Sequence, residues 1–150
     1  MFSGTTTCLL YITKTDLYCA NLGDSRAAIF TKNNDLWCSK RLSIDHKAED
    51  HREASRILMN GGQIFPYRDE EGDQMGPFRV WVKDQRIPGL AMTRSFGDYV
   101  ASMVGVIDEP EVLHHHITKC IFLLIQRISF WSWHLMAYGN LLVKNKLLTS

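Results

Sequence analysis

After Glu111 the 150-residue sequence contains no aspartate or glutamate, although 16 acidic residues precede that point. Soluble domains mix both signs of charge over their surfaces, so the one-sided stretch marks a change of character along the chain. Residues 1–111 carry 13 basic against 16 acidic side chains, and the last 39 carry four basic ones. Other absences narrow the class. There is no long basic run, which removes the electrostatic footprint of nucleic-acid binding or of an anionic membrane surface. The cysteines at 8, 19, 38 and 120 form no CxxC pair, and "MFSGTTTCLLYIT" lacks the basic-then-apolar order of a signal peptide. Reduced thiols in a cytoplasmic or nuclear setting are expected, each Cys serving as a small buried apolar side chain. Residues 117–143 are strongly apolar, but Lys119 and Arg127 interrupt them. No run reaches the roughly 18–20 residues of a spanning helix, so no membrane anchor is expected.

What is present in the first two thirds reads as one domain or part of one. "TTTCLLYIT", "DLYCANLG", "SRAAIFT" and "LWCSKRLS" are short β-rich runs separated by "KTD", "GDS" and "KNND", which predicts an antiparallel meander. The first run is almost continuously apolar, as in a strand buried on both faces. In "AEDHREASRILMNGG" the period changes: Ala54, Ile57 and Leu58 share a helical face, Glu49 and Asp50 sit near the positive end, and Asn60-Gly61-Gly62 is a stop. A helix over about residues 49–60 is predicted. The segment from Gln63 to Leu90 reads as an irregular excursion with two short strands around a polar loop.

Four places have residue types suited to chemistry. In "ANLGDSRAAIF" a Gly-Asp-Ser turn joins two apolar strands and sets Asp24 at the end of a sheet, with Gly23 free to take a positive φ. A carboxylate there suits a hard cation such as Mg²⁺ or Mn²⁺, although aspartate is also common in turns for its own backbone chemistry. In "LAMTRSFGD", Arg94 can grip a phosphate or anchor a loop through an internal ion pair. "HHH" at 114–116 invites a metal assignment, but neighbouring residues of an extended segment point to opposite faces and no Cys or carboxylate cluster adjoins them. "DEEGD" at 69–73 lacks the spaced ligands of a calcium loop and reads as solvated.

Taken in order, "SGTTT", "ANLGDSRAAIF", "LSIDHKAEDHREASRILMNGG", "RVWV", "PGLAMTRSFGD" and "GVIDEPEV" resemble the middle of the metal-dependent protein serine/threonine phosphatases, the PPM or type 2C family. The resemblance covers residues 3–112. It implies an α+β fold: a partial α-β-β-α sandwich of antiparallel sheets with flanking helices, incomplete at both ends. It further implies hydrolysis of phosphoserine and phosphothreonine in protein substrates by a water that Mn²⁺ or Mg²⁺ activates, with no phosphoenzyme. Asp24 matches a ligand of an additional, weaker metal, and Gly23, Ser25, Arg26, Thr93, Arg94, Gly97 and Asp98 match residues that support the site. The segment between Gly62 and Leu90 corresponds to a flap beside the cleft. Ala48 stands where the family usually has proline after "DHK". The "DGHGG" segment and a phosphate-binding arginine expected before "SGTTT" are absent, as are "ASDG" and "DN" segments after Val112. No complete catalytic set is therefore expected in this chain. The alternative to an active phosphatase is a pseudophosphatase or truncated phosphoprotein-binding module.

Residues 113–150 are expected to be a frameshifted tail following a phosphatase segment of 1–112. The family continues after "PEV" toward a strand resembling "DKFLVLASDGVWEF". If each shifted codon takes the last base of one residue and the first two of the next, Trp133 into His134 must give alanine. Met136 into Ala137 must give glycine, and Phe130 into Trp131 must give leucine. The codons of 127–141 as a whole permit D-K-F-L-V-L-A-S-D-G-V-W-E-F, so "FWSWHLMAYGNLL" reads as an out-of-frame image of that strand.

Overall fold

The structure is a computed structural model; it describes residues 3–34 and 36–117, and the strand at 122–127. Its elements in chain order are β1 (Gly4–Thr5), β2 (Thr7–Ile12), β3 (Asp16–Leu22), β4 (Ser25–Asn33), β5 (Leu36–Arg41), α1 (His51–Met59), β6 (Gly62–Arg68), β7 (Gln74–Val82), β8 (Pro88–Leu90), β9 (Phe96–Gly97), α2 (Tyr99–Ser102), β10 (Glu111–His116) and β11 (Phe122–Arg127). This is the expected α+β class, and every pairing between these strands is antiparallel.

Six of the strands form two three-stranded sheets, ordered β10-β3-β2 and β11-β4-β5. Alternation turns Leu17 and Cys19 of β3 toward Ala27 and Ile29 of β4, and these four with Leu42 make one buried cluster. The expected meander is corrected here. β3 and β4 are consecutive but belong to different sheets, so the Gly23–Asp24 turn is a crossing between layers and not a hairpin. The first apolar run is corrected as well. β2 is an edge strand, and Leu9, Tyr11 and Ile12 are exposed, because only one of its faces meets the core. Of the cysteines, Cys19 is buried and Cys8 half-buried, but Cys38 is exposed on β5, all of whose side chains are exposed.

A second cluster lies around α1. Ile57 packs with Val80, Ala101, Val104 and Val106, against Ile64, Val82 and Leu90 of a third sheet, β6-β7-β8. That sheet is more regular than the excursion expected from the sequence. Pro66 fits inside β6 because the register shifts between Phe65 and Tyr67, and a bulge tolerates a residue with no N–H. The helix begins two residues later than expected. Asp50 is its N-cap and accepts a hydrogen bond from the Arg52 N–H at 2.8 Å. Leu58 is exposed, and the buried face holds Glu53 beside Ile57. The boundary expected between 112 and 113 falls inside β10, whose register with β3 runs without a break from Glu111↔Asn21 to His116↔Asp16. Cys120 and the stretch 130–142 lie outside the described residues.

Candidate active site

The Gly23–Asp24 turn is held from three sides. Gly23 has φ +97°, and a Cβ there would run into the Thr6 side chain and meet the Arg94 carbonyl at 3.3 Å, so the turn admits only glycine. The Gly23 N–H donates to His46 Nδ1 at 3.0 Å, and the His46 N–H returns a bond to the Gly23 carbonyl at 3.0 Å. Asn21 Nδ2 donates to the same carbonyl at 3.1 Å. Beyond the turn, the Ser25 and Thr6 hydroxyls share a hydrogen bond of 2.8 Å. Arg26 grips Asp45 with both arms, Nε to Oδ1 at 2.8 Å and Nη2 to Oδ2 at 2.7 Å. Arg26 therefore braces the base of β4 and its charge is spent on Asp45.

Asp24 itself is largely covered, and its Oδ2 lies 3.8 Å from Lys47 Nζ. Among the described residues, no group of three or more His, Cys, Asp and Glu side chains stands ready to hold a metal ion. One carboxylate with an ammonium beside it does not fit a pair of divalent cations, which need several oxygen ligands. Asp24 can contribute to such a centre but does not form one.

The "TRSFGD" residues form a scaffold next to this turn. Glu53, almost fully buried on α1, accepts from the Thr93 hydroxyl at 2.6 Å, from Arg94 Nη2 at 2.7 Å and from Arg56 Nη2 at 2.7 Å. Burial by itself would raise its pKa; the bonds from Arg56, Arg94 and Thr93 outweigh it and hold the carboxyl well below the usual range. Arg94 also donates to the Glu109 carbonyl at 2.9 Å, and Arg56 to the carbonyls of Gly105 and Thr93, both at 2.8 Å. Of the two readings of Arg94, the internal ion pair is the observed one. The Thr93 N–H donates to the His46 carbonyl at 2.9 Å, which joins the scaffold to the Asp24 turn.

Gly97 and Asp98 do separate work. β1 and β9 pair Gly4 with Gly97, and a Cβ on Gly97 would strike the Ser3 carbonyl at 2.5 Å. Asp98 is buried at φ 46°, donates its N–H to the Ser3 carbonyl at 2.9 Å and accepts the Ser95 hydroxyl at 2.7 Å. Burial raises its pKa, with the Ser95 bond opposing.

Two residues at the centre escaped the sequence reading, His46 and Glu53. Both lie in the quoted "DHKAEDHRE", yet a histidine beside charged neighbours and a glutamate in the first turn of a helix read as surface groups. His46 is buried, and its Nε2 has no hydrogen-bond partner; Glu111 Oε2 is 4.0 Å away. Burial and the nearby Arg94 charge push its pKa down.

Comparison with known proteins agrees with this geometry. A sequence profile described as Protein phosphatase 2C matches residues 1–125. The chain is 39% identical over 132 residues to "Probable protein phosphatase 2C 12" of Oryza sativa subsp. japonica, covering 87% of this chain and 33% of that protein. It is 40% identical over 132 residues to "Probable protein phosphatase 2C 72" of Arabidopsis thaliana, covering 87% of this chain and 39% of that one. The chain thus spans between a third and two fifths of these relatives' length. Among solved structures, the serine-threonine phosphatase 2C of Toxoplasma gondii aligns over 78% of this chain and 38% of its own, with a TM-score of 0.66 at 22% identity, a likeness of fold. With motifs, layer order and profile in agreement over more than half its residues, the chain belongs to the protein phosphatase 2C family.

Proposed function

We propose that this chain is the central part of a protein serine/threonine phosphatase domain, and that residues 1–150 alone do not turn over substrate. The carrying observation is Asp24: the turn that presents it is braced on all sides, yet it is one carboxylate facing Lys47 where a two-metal centre needs several. The substrates of the whole domain are phosphoserine and phosphothreonine in proteins, the cation is Mn²⁺ or Mg²⁺, and the remaining ligands belong to the part of the domain these residues do not cover. In that domain His46 and Thr93 set the Asp24 turn, and the Glu53 ion pairs hold Thr93 and Arg94 still. No helix among the described residues is long and apolar enough to cross a membrane, which is compatible with a cytoplasmic or nuclear protein.

The residues from about 127 onward are, in this reading, the out-of-frame image of the strand that should end in Ser-Asp-Gly. β10 keeps its register through His116 and the family profile extends to residue 125, which supports a change of frame after β10 and later than residue 112. Nucleotide sequence tests this directly; codons of His134, Leu135 and Met136 that cannot yield Ser-Asp-Gly in the alternate frame would overturn it. For the activity, residues 1–150 with a phosphothreonine peptide and Mn²⁺ should release no phosphate. The domain restored in frame over its full length should release it only with Mn²⁺ or Mg²⁺. Turnover by 1–150, or an inert restored domain, would each sink its half of the proposal.

A further inference from the structure

The sheet β6-β7-β8 has one packed face and one open face. Ile64, Val80, Val82 and Leu90 go to the α1 cluster, while Phe65 and Tyr67, on the opposite face of β6, are 38% and 48% exposed. Both rings meet Trp81 of β7: Phe65 stacks on it with centroids 5.0 Å apart and 9° between planes, and Tyr67 approaches edge-on, also at 5.0 Å. The Trp81 indole N–H donates to the Phe65 carbonyl at 2.8 Å, so the aromatic set is fixed in advance of any ligand. Gly89 leaves it room, since a Cβ there would lie 2.8 Å from the Trp81 ring and 3.0 Å from Tyr67 Oη. A cleft of about 210 Å³ opens here, lined by Phe65, Pro66, Tyr67 and Trp81 and by the exposed Arg68 and Arg86.

The arginines of this sheet differ from the others in the molecule. Arg26, Arg41, Arg52, Arg56 and Arg94 each pair with a carboxylate. Arg68, Arg79 and Arg86, on β6, on β7 and in the turn before β8, pair with none among the described residues. Arg68 donates to the Gly72 carbonyl and Arg79 to the Gly89 carbonyl, both at 2.7 Å, and these neutral acceptors leave the positive charges unmatched. Arg79 is only 7% exposed, its Cζ lies 5.0 Å from the centroid of the Tyr67 ring, and its Nε has no hydrogen-bond partner among the described residues. The acidic turn that follows β6 is occupied with itself, since Asp69 Oδ1 accepts from the Glu71 and Asp73 N–H groups at 3.1 and 2.8 Å. A buried cation without a counter-charge is destabilising, and an anion seated at the cleft offsets part of that cost.

We propose that this cleft docks a peptide segment of a partner protein in which a large apolar side chain lies between acidic residues. The apolar side chain packs against Phe65, Tyr67 and Trp81, the kind of aromatic pocket that anchors an interface. Its flanking carboxylates face the guanidinium groups of Arg68 and Arg86, whose paired N–H donors match a carboxylate, and the Arg79 charge behind Tyr67 adds to the same field. Charge complementarity selects this occupant: a basic segment is repelled by three cations, and a neutral one leaves them unmatched. The cleft shares no residue with the Asp24 turn, so docking does not depend on hydrolysis by this chain.

The test is fluorescence anisotropy of the full chain with fluorescein-labelled Glu-Glu-Phe-Leu-Glu-Glu, beside Lys-Lys-Phe-Leu-Lys-Lys and Glu-Glu-Ser-Gly-Glu-Glu. Only the first should bind saturably. Phe65→Ser should weaken that binding about tenfold or more, as loss of an aromatic anchor does. Arg68→Gln and Arg86→Gln should each weaken it by about two- to fivefold, the scale of an exposed ion pair. Lys40→Gln, at an exposed cation on β5, should match wild type. Salt at about 0.5 M should weaken binding by wild type more than by the chain carrying both arginine substitutions. Equal binding of the glutamate and lysine peptides, or binding that survives Phe65→Ser combined with Arg86→Gln, would overturn the site. Phosphatidylserine vesicles that bind through Phe65 and Arg86 where the peptide does not would assign the cleft to a lipid surface and overturn it equally. Should Phe65→Ser fail to fold, Tyr67→Leu carries the same test. No arm of the experiment reads turnover, so its failure and failure of the Asp24 reading are separate results.

Discussion

The two packed regions of this molecule differ in what closes them. Around α1, the cluster of Ile57, Val80, Ala101, Val104 and Val106 is fastened by a buried carboxylate that ties three segments together: Glu53 on α1, Thr93 and Arg94 on the "TRSFGD" stretch, and through Arg56 the Gly105 carbonyl. The sandwich has a core of Leu17, Cys19, Ala27, Ile29 and Leu42, but its edges leave Leu9 at 56%, Tyr11 at 63% and Leu36 at 73% exposed. One region is closed around a buried carboxylate and its ion pairs; the other has an apolar midline, polar ties such as Arg26–Asp45 that are partly exposed, and large apolar side chains left exposed on its edge strands. Edge strands bearing large apolar side chains invite further pairing or aggregation. The contrast therefore predicts where stability resides and where the domain needs more chain.

The sharpest way to break the contrast is to remove its fastener. Glu53→Ala leaves two guanidinium groups half-buried without their partner and should cost about 3–5 kcal/mol, read as a lower denaturant midpoint. Truncating the apolar centre of the same region, Ile57→Ala, should cost about 2–4 kcal/mol. Leu17→Ala in the sandwich should fall at the low end of that range, because the neighbouring strands can collapse toward the gap; an equal or larger loss would erase the distinction.

Acid should act on the fastened side first. A buried neutral His46 with a depressed pKa lags the unfolded chain in taking up protons below about pH 6.5, so stability falls as pH drops through that value. Glu53, also depressed, keeps its contribution above about pH 4.3 and loses it as pH falls toward its folded value. Asp98, raised by burial, has the opposite sign and softens the acid limb. Thermal melts across pH should show a first decline that His46→Gln removes; a flat profile between pH 7 and 5 would contradict the assignment. The smallest effect belongs to the sandwich rim. Leu36→Ser should change stability by no more than about 0.5 kcal/mol and lower aggregation, measured by light scattering.

Much of the fold was legible in local pattern. The strand-rich runs became β2 through β5, Asn60-Gly61-Gly62 ended the helix, and Gly23 took the positive φ that its turn required. The errors share a cause: each concerned a partner distant in the chain. A consecutive strand pair read as a hairpin because period-2 alternation states which face a residue takes but not which sheet receives it. The pattern places Leu58 on the apolar helical face and does not single out Glu53, because apolar periodicity cannot see that Thr93 and Arg94, some forty residues on, satisfy a buried carboxylate. The hydrogen bond from His114 to Asp16 was out of reach of the sequence for the same reason, since Asp16 is about a hundred residues away in the chain and 2.7 Å away in the fold.

By itself, the sequence determined the family, the class of fold and the identity of the turn that presents Asp24, because ordered motifs and glycine at a strained turn are local properties. Only the tertiary structure decided that Arg94 is spent on Glu53, that His46 and Thr93 clamp the Asp24 turn, and that Asp16 faces two histidines. Those facts depend on which strands and helices become neighbours, and side-chain charge and hydrogen bonding are settled over a few ångströms of space rather than over positions in the chain.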